Sequence, residues 1–175
     1  MASYTTMLEV DLGRLRRRRR LPIDAAVPAD HAMWKDAAVP LRGPLAVRLT
    51  VEQAGPDVVV RGRLSGEVEL GCRRCLRAVR VPVREEVAFL YRSGIDGLEA
   101  EQEEVYALPA GARELDLSTA VREHVLLSVP QYAICEEACR GLCPRCGTDL
   151  NRGACACRDE VTDERWAALK SLPIE

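Results

Sequence analysis

Apolar and polar residues alternate over three stretches in the middle of the chain, and a period of two predicts strands. Leu45-Ala-Val-Arg-Leu-Thr-Val51 alternates, Asp57-Val-Val-Val-Arg-Gly-Arg-Leu64 is β-branched behind a Gly55-Pro56 turn, and Val79 to Phe89 alternates again. Together these stretches predict an antiparallel sheet within Leu41 to Tyr91. Leu8 to Leu12 alternates over a length that suits only a short strand. Farther on the period lengthens. Asp116 reads as the N-cap of a helix running to about Ser128, with Leu117, Ala120, Val121 and Leu127 near one face and Pro130 beyond its end. This helix is expected to cover the sheet. A last helix, from about Thr162 to Leu172, places Trp166 and Leu169 on one face, packed against the cysteine-rich region before it.

Two stretches lack either period. Leu21 to Pro40 holds Pro22, Pro28, Pro40 and Trp34 and reads as an ordered arm or loop. Ser93 to Arg113 carries Asp96, Glu99, Glu101, Glu103 and Glu104 among glycines and Pro109, and reads as a solvated acidic loop. Paired carboxylates do acid–base work only where burial or a neighbour pushes their pKa values apart, and this stretch has no apolar surround to do so.

At 175 residues and 47% hydrophobic content the chain can build a real core. It has no apolar run near the ~18 residues of a membrane span, so no membrane helix is expected, and Met1 to Val10, with an acidic residue and no apolar h-region, gives no expectation of a secretory route. A cytoplasmic protein is the expectation. The net charge of −2 conceals an asymmetry: Met1 to Arg92 holds 17 basic and 11 acidic residues, net +6, and Ser93 to Glu175 holds 8 basic and 16 acidic, net −8. Only the N-terminal half therefore offers a surface for a polyanion. Of the 25 basic residues only Lys35 and Lys170 are lysine. A GC-rich genome would produce the same arginine bias without selection for binding.

The eight cysteines fall in paired spacings: Cys72-x-x-Cys75, Cys135-x3-Cys139, Cys143-Pro-Arg-Cys146-Gly147 and Cys155-Ala-Cys157. A Cys-Pro-x-Cys-Gly turn fixes one φ angle and frees another, which lets two thiolates face one metal. In a reducing compartment such pairs point to metal ahead of disulfides. The count suits two zinc ions, each held by four thiolates. Proximity along the chain groups Cys143, Cys146, Cys155 and Cys157 into one site and Cys72, Cys75, Cys135 and Cys139 into another, with the pairing of the two Cys-x-x-Cys turns left open. Four thiolates leave no open coordination position, so both sites are expected to be structural. The expected fold is α+β: an antiparallel β-sheet covered by a helix, with a C-terminal cysteine-rich zinc-binding lobe. Three parts follow: residues 1–40, an N-terminal strand and arginine-rich arm; 41–130, the sheet, acidic loop and covering helix; and 131–175, the zinc lobe and C-terminal helix.

The run Gly141-Leu-Cys-Pro-Arg-Cys-Gly-Thr-Asp-Leu-Asn151, followed by Cys155-Ala-Cys157 and Asp163-Glu-Arg-Trp-Ala-Ala-Leu169, resembles the bacterial YceD family of large ribosomal RNA subunit accumulation proteins. The likeness continues upstream through Asp116 to Pro130 and through Gly66 to Leu76. It implies a non-enzymatic factor in large-subunit ribosomal RNA accumulation and ribosome biogenesis, with large-subunit ribosomal RNA precursor or a ribosomal protein as partner.

Candidate RNA contacts are Arg14, the run Arg16, Arg17, Arg18, Arg19 and Arg20, and Arg73 and Arg74 of the first Cys-x-x-Cys turn. Flexible arginines form bidentate bonds with phosphate oxygens; the bland alternative is a solvated, charge-balancing surface. Arg77, Arg80 and Arg84 extend the same choice along the next strand. One Phe, four Tyr and two Trp are few for a base-stacking protein, which favours contact through phosphate and shape. No catalytic residues, phosphate-cradling glycine loop or small-molecule site emerges, and His124 reads as a surface or core histidine. A zinc-stapled protein adaptor and a thiol-redox enzyme are the alternatives.

Overall fold

The computed structural model describes residues 7–35, 40–95, 105–157 and 165. The last helix expected from the sequence, apart from Arg165, and residues 96–104 of the acidic loop lie outside them. Among the described residues the fold is α+β, with one sheet of five strands, one of two, and two α-helices. None of their helices is long and apolar enough to cross a membrane.

The sheet grows from the alternation that predicted it. β3 (Leu45–Ala54) buries Leu45, Val47, Leu49 and Val51 on one face. Gly55, at φ +63°, and Pro56 then close a two-residue turn in which Ala54 pairs with Asp57. The positive φ calls for glycine at that corner. β4 (Asp57–Gly71) and β5 (Ala78–Ser93) form a long antiparallel hairpin. Its base, Val58, Val60, Leu64, Val87, Phe89 and Tyr91, is in the main core, whereas its tip approaches Cys72 and Cys75.

One strand was hidden from the sequence. β2 (Arg20–Val27) pairs antiparallel with β3 along its whole length, in the stretch that reads as an arm. Leu21, Ile23, Ala25 and Val27 do alternate, but Pro22 and the alanines dilute the signal. Proline is tolerated because β2 is the edge of the sheet. At the opposite edge β6 (Tyr106–Leu108) adds to β5 in parallel.

The core face is closed by short elements. β1 (Glu9–Asp11) pairs with β7 (Glu114–Asp116), and α1 (Leu12–Arg18) follows β1 directly, with Asp11 as its N-cap accepting from the Arg14 N–H. Leu12 and Leu15 point from α1 into the core. α2 (Ser118–Ser128) packs on β5, and its His124 ring lies 4.7 Å from Phe89. Asp116 ends β7 and accepts from the Ser118 N–H at 2.8 Å, but it stands one residue before the N-cap, which is Leu117. The buried stripe is Leu117, Ala120, Val121 and Val125, while the expected Leu127 is 83% exposed. A stripe advancing by three and four from Leu117 reaches Val125 and leaves Leu127 on the far side.

Candidate metal centres and the arginine surfaces

Each Cys-x-x-Cys sequence forms the same backbone turn. At the first, the Leu76 N–H donates to the Cys72 carbonyl at 2.9 Å and the Cys72 N–H to the Arg77 carbonyl at 2.8 Å. At the second, the Gly147 N–H donates to the Cys143 carbonyl at 2.9 Å and the Cys143 N–H to the Thr148 carbonyl at 2.8 Å. The residue after the second cysteine is left-handed in both: Leu76 at φ +59° and Gly147 at φ +73°.

The thiol sulfurs gather into two quartets, Cys72, Cys75, Cys135 and Cys139 in one and Cys143, Cys146, Cys155 and Cys157 in the other, each with its sulfurs within 4.8 Å of one another. In the first, Cys72 Sγ lies 3.9 Å from Cys139 Sγ and Cys75 Sγ 3.7 Å from Cys135 Sγ. A tetrahedron of metal–sulfur bonds near ~2.3 Å has S···S edges of about 3.8 Å, and a disulfide would need about 2.05 Å. These spacings fit a shared metal ion, and each quartet could hold one.

The first quartet is an inner centre. Cys72, Cys75 and Cys139 are buried, with Val79 and Leu142 packed against them. Three arginines of the turn fasten the C-terminal segment to the hairpin. The Arg73 N–H donates to Ala133 O at 2.9 Å, beside a Cys72–Ala133 bridge. The Arg74 guanidinium donates to Glu137 O and Cys139 O, both at 2.9 Å. Arg77 pairs with Glu136 at 3.2 Å. Two N–H groups also meet the sulfurs: Arg74 N–H to Cys72 at 3.4 Å and Asn151 Nδ2 to Cys139 at 3.5 Å.

The second quartet is an outer centre. Only Cys143 is buried; Cys146 and Cys157 are exposed. The Thr148 hydroxyl sits 3.2 Å from Cys146 Sγ. The two centres meet through Gly141 and Asn151. Gly141, at φ +77°, lies so close to the first turn that a Cβ would come 2.9 Å from Arg74 O. The next N–H, of Leu142, donates to that same carbonyl at 3.0 Å. Asn151 Oδ1 accepts from the Arg140 N–H at 2.7 Å, while Nδ2 reaches Asp149 Oδ1 at 2.7 Å as well as Cys139.

Without a metal, each quartet divides its protons unequally. The Cys75 N–H first, then the other backbone bonds, hold Cys72 down at about 6. Cys75, although lowered by its bond from the Arg77 backbone, is pushed up to about 12 by burial and its sulfur neighbours. In the outer quartet the Thr148 hydroxyl and N–H bring Cys146 to about 6, while the hydrogen bond to Cys146 and desolvation raise Cys157 to about 12. A dication would remove the remaining protons, because a coordinating thiol is deprotonated.

The remaining arginines separate by partner. Arg14, Arg16, Arg17, Arg18 and Arg19 are exposed on α1 and its C-cap, and none pairs with a carboxylate of a described residue. Arg20 opens β2 and pairs with Glu52 at 3.3 Å. Arg80 pairs with Glu67, and Arg63 with Glu86, across the outer face of the sheet. Arg73 lies over the Tyr132 ring, 5.3 Å from its centroid. Asn151, Leu76 and Tyr132 went unassigned in the sequence. The Asp149-x-Asn151 spacing beside Cys146 carried a turn signal that could have marked Asn151.

Residues 60–173 match the family described as large ribosomal RNA subunit accumulation protein YceD. A chloroplastic protein of Arabidopsis thaliana named large ribosomal RNA subunit accumulation protein YCED homolog 1 is 26% identical over 200 aligned positions, covering 96% of this chain and 60% of that protein. An uncharacterized protein of Mycobacterium tuberculosis is 32% identical over 130 residues, 73% of this chain and 61% of its own. One from Mycobacterium leprae is 30% identical over 131 residues, 74% and 59%. The chain thus spans about three-fifths of the length of these relatives. No solved structure gives a significant match.

Proposed function

The chain belongs to the YceD family, and on that premise we propose that it is a non-enzymatic, zinc-stapled factor that supports accumulation of large-subunit ribosomal RNA by contacting its precursor. The names of the family and of the Arabidopsis relative supply the process. The observation that carries direct contact is α1: five guanidinium groups, Arg14 and Arg16 to Arg19, lie exposed with no carboxylate of a described residue to neutralise them. Phosphates are the natural counter-charge for such a cluster. Arg20 and Arg74 contribute less in this scheme, because Glu52 and the carbonyls of Glu137 and Cys139 already occupy them.

Zinc is the proposed metal because four thiolates in closed quartets suit it, and such sites hold shape without offering a position to substrate. The histidines add no acid–base machinery to this: His124 packs on Phe89, and His31 Nδ1 accepts from the Met33 N–H. We keep the three-part organisation, with residues 131–175 as the zinc lobe, and a cytoplasmic setting, as parts of the same proposal.

The test replaces Arg14 and Arg16 to Arg19 by Ala and measures binding to large-subunit precursor RNA across salt concentrations. Each neutralised phosphate releases counterions, so the slope of log K against log salt should flatten in the variant. Equal slopes in the two proteins would remove α1 as the contact. Deleting the gene should lower mature large-subunit RNA relative to small-subunit RNA, and unchanged levels would remove the process itself.

A further inference from the structure

The two matching turns differ at one position for no reason that folding supplies. Gly147 takes the left-handed corner of the outer turn, where glycine is free of strain. Leu76 takes the same corner of the inner turn at φ +59° and is 71% exposed as a residue. A left-handed L-residue is strained, and an exposed isobutyl group recovers none of that by burial.

Tyr132 is held against the same turn, beside Arg73. The Cys72–Ala133 bridge and the Arg73 N–H bond to Ala133 O dock residues 132–134 against the turn, and Tyr132 and Ile134 emerge on either side of buried Ala133. Tyr132 is 65% exposed, and among the described residues it is the only exposed aromatic ring. Trp34, Phe89 and Tyr91 are buried, and Tyr106 stacks on Tyr91 at 5.1 Å. The Arg73 guanidinium lies over the Tyr132 ring and meets no carboxylate of a described residue. Beneath them Arg74 and the cysteine quartet hold the turn in place.

We propose that Tyr132, Arg73 and Leu76 form a platform on which an unpaired base of single-stranded RNA stacks. A ring and a guanidinium plane are the two surfaces on which unpaired bases stack, and the cation also faces the neighbouring phosphate. Leu76, on the same turn as Arg73, and Ile134, two residues from Tyr132, are exposed apolar side chains that would shield a stacked base from water. A specific protein partner would need roughly 600–1,000 Å² on this side, far more than these few side chains present. Among the described residues no base-edge donor or acceptor set is assembled here, so the platform selects for single strands over duplexes and tolerates sequence. The inference rests on the RNA reading above and adds a base contact to the phosphate contacts of α1.

The test uses the full, metal-loaded chain with a short fluorescein-labelled single-stranded RNA and the same sequence as a duplex. Tyr132→Ala should weaken single-strand binding about tenfold or more, leave duplex binding and the salt slope unchanged, and retain both metals. Tyr132→Phe should bind as the unsubstituted protein does. Leu76→Gly, which copies the sister turn and so preserves the fold, should weaken the single-strand complex to a smaller degree. Unchanged single-strand affinity in Tyr132→Ala and Leu76→Gly, with binding lost in the α1 arginine variant, would overturn the platform and leave the RNA reading standing. Failure of the unsubstituted protein to bind either RNA at low salt would overturn both. A photo-crosslinker at position 76 that captured protein and never RNA in cells would assign the face to a protein partner and overturn the platform.

Discussion

At Cys72–Cys75 and at Cys143–Cys146 the chain folds the same turn with the same hydrogen bonds, yet the two quartets built on those turns occupy different surroundings. The inner one joins residues 60 and 67 positions apart, is walled by Val79 and Leu142, and is fastened by Arg74 and Arg77. The outer one closes on cysteines near in sequence and leaves two of them exposed. A motif therefore specifies the ligand geometry and leaves the role to its environment. At the inner position a metal would act as a long-range clip that removes the entropy of a large open loop. At the outer position it would order a segment with little apolar core of its own.

The largest difference should appear when each centre is broken. Cys139→Ser should lose the inner metal, free the C-terminal segment from the hairpin and cost several kcal/mol, a part of the roughly 10–16 kcal/mol that structural zinc can supply. Cys155→Ser should lose one metal and leave the β2–β5 sheet with its thermal transition nearly unchanged. Metal analysis with circular dichroism melting checks both, and equal loss of sheet stability in the two variants would break the distinction.

A smaller effect is expected where the centres touch. Asn151 bridges Cys139, Asp149 and the Arg140 N–H. Asn151→Ala should reduce inner-site metal affinity by about 10–100-fold, the usual consequence of removing a group that supports a ligand. Competition with a chromophoric chelator measures it. If only the outer site weakened, the bridge would belong to the outer loop alone.

Proton release gives a finer measure of the same contrast. At pH 7.5 Cys72 and Cys146, both near 6, are already thiolates, whereas Cys75 and Cys157, near 12, still carry protons. Metal uptake should therefore expel at least one proton per quartet, and affinity should fall as the pH drops towards 6 and below, where the first pair also protonates. Calorimetry in buffers of different ionisation enthalpy counts the protons.

Much of this architecture was legible. β3, β4 and β5 followed from alternation because their inner faces are buried on a regular pleat, and the turn at Gly55-Pro56 was visible in its residues. β2 was not, since Pro22 and the alanines at 25 and 26 are poor strand formers that only pairing with β3 makes extended. β6, three residues long and paired in parallel, offers no local pattern at all. Leu127 and Val125 are both apolar, and only the direction of α2 against β5 decides which is buried. The cysteine spacings indicated which thiols are neighbours along the chain. They could not indicate that Arg74 serves as a clamp on Glu137 and Cys139, because those carbonyls belong to a segment more than sixty positions away.

The contrast between a buried clip and an exposed local site is tested most directly by following metal release under excess chelator while trapping freed thiols for site-resolved mass spectrometry. The expected result is two phases: a fast loss of one metal with labelling of Cys143, Cys146, Cys155 and Cys157, then a slow loss of the second with labelling of Cys72, Cys75, Cys135 and Cys139. A single phase, release of the inner set first, or a first-labelled set that mixed Cys72 and Cys75 with Cys143 and Cys146 would contradict it.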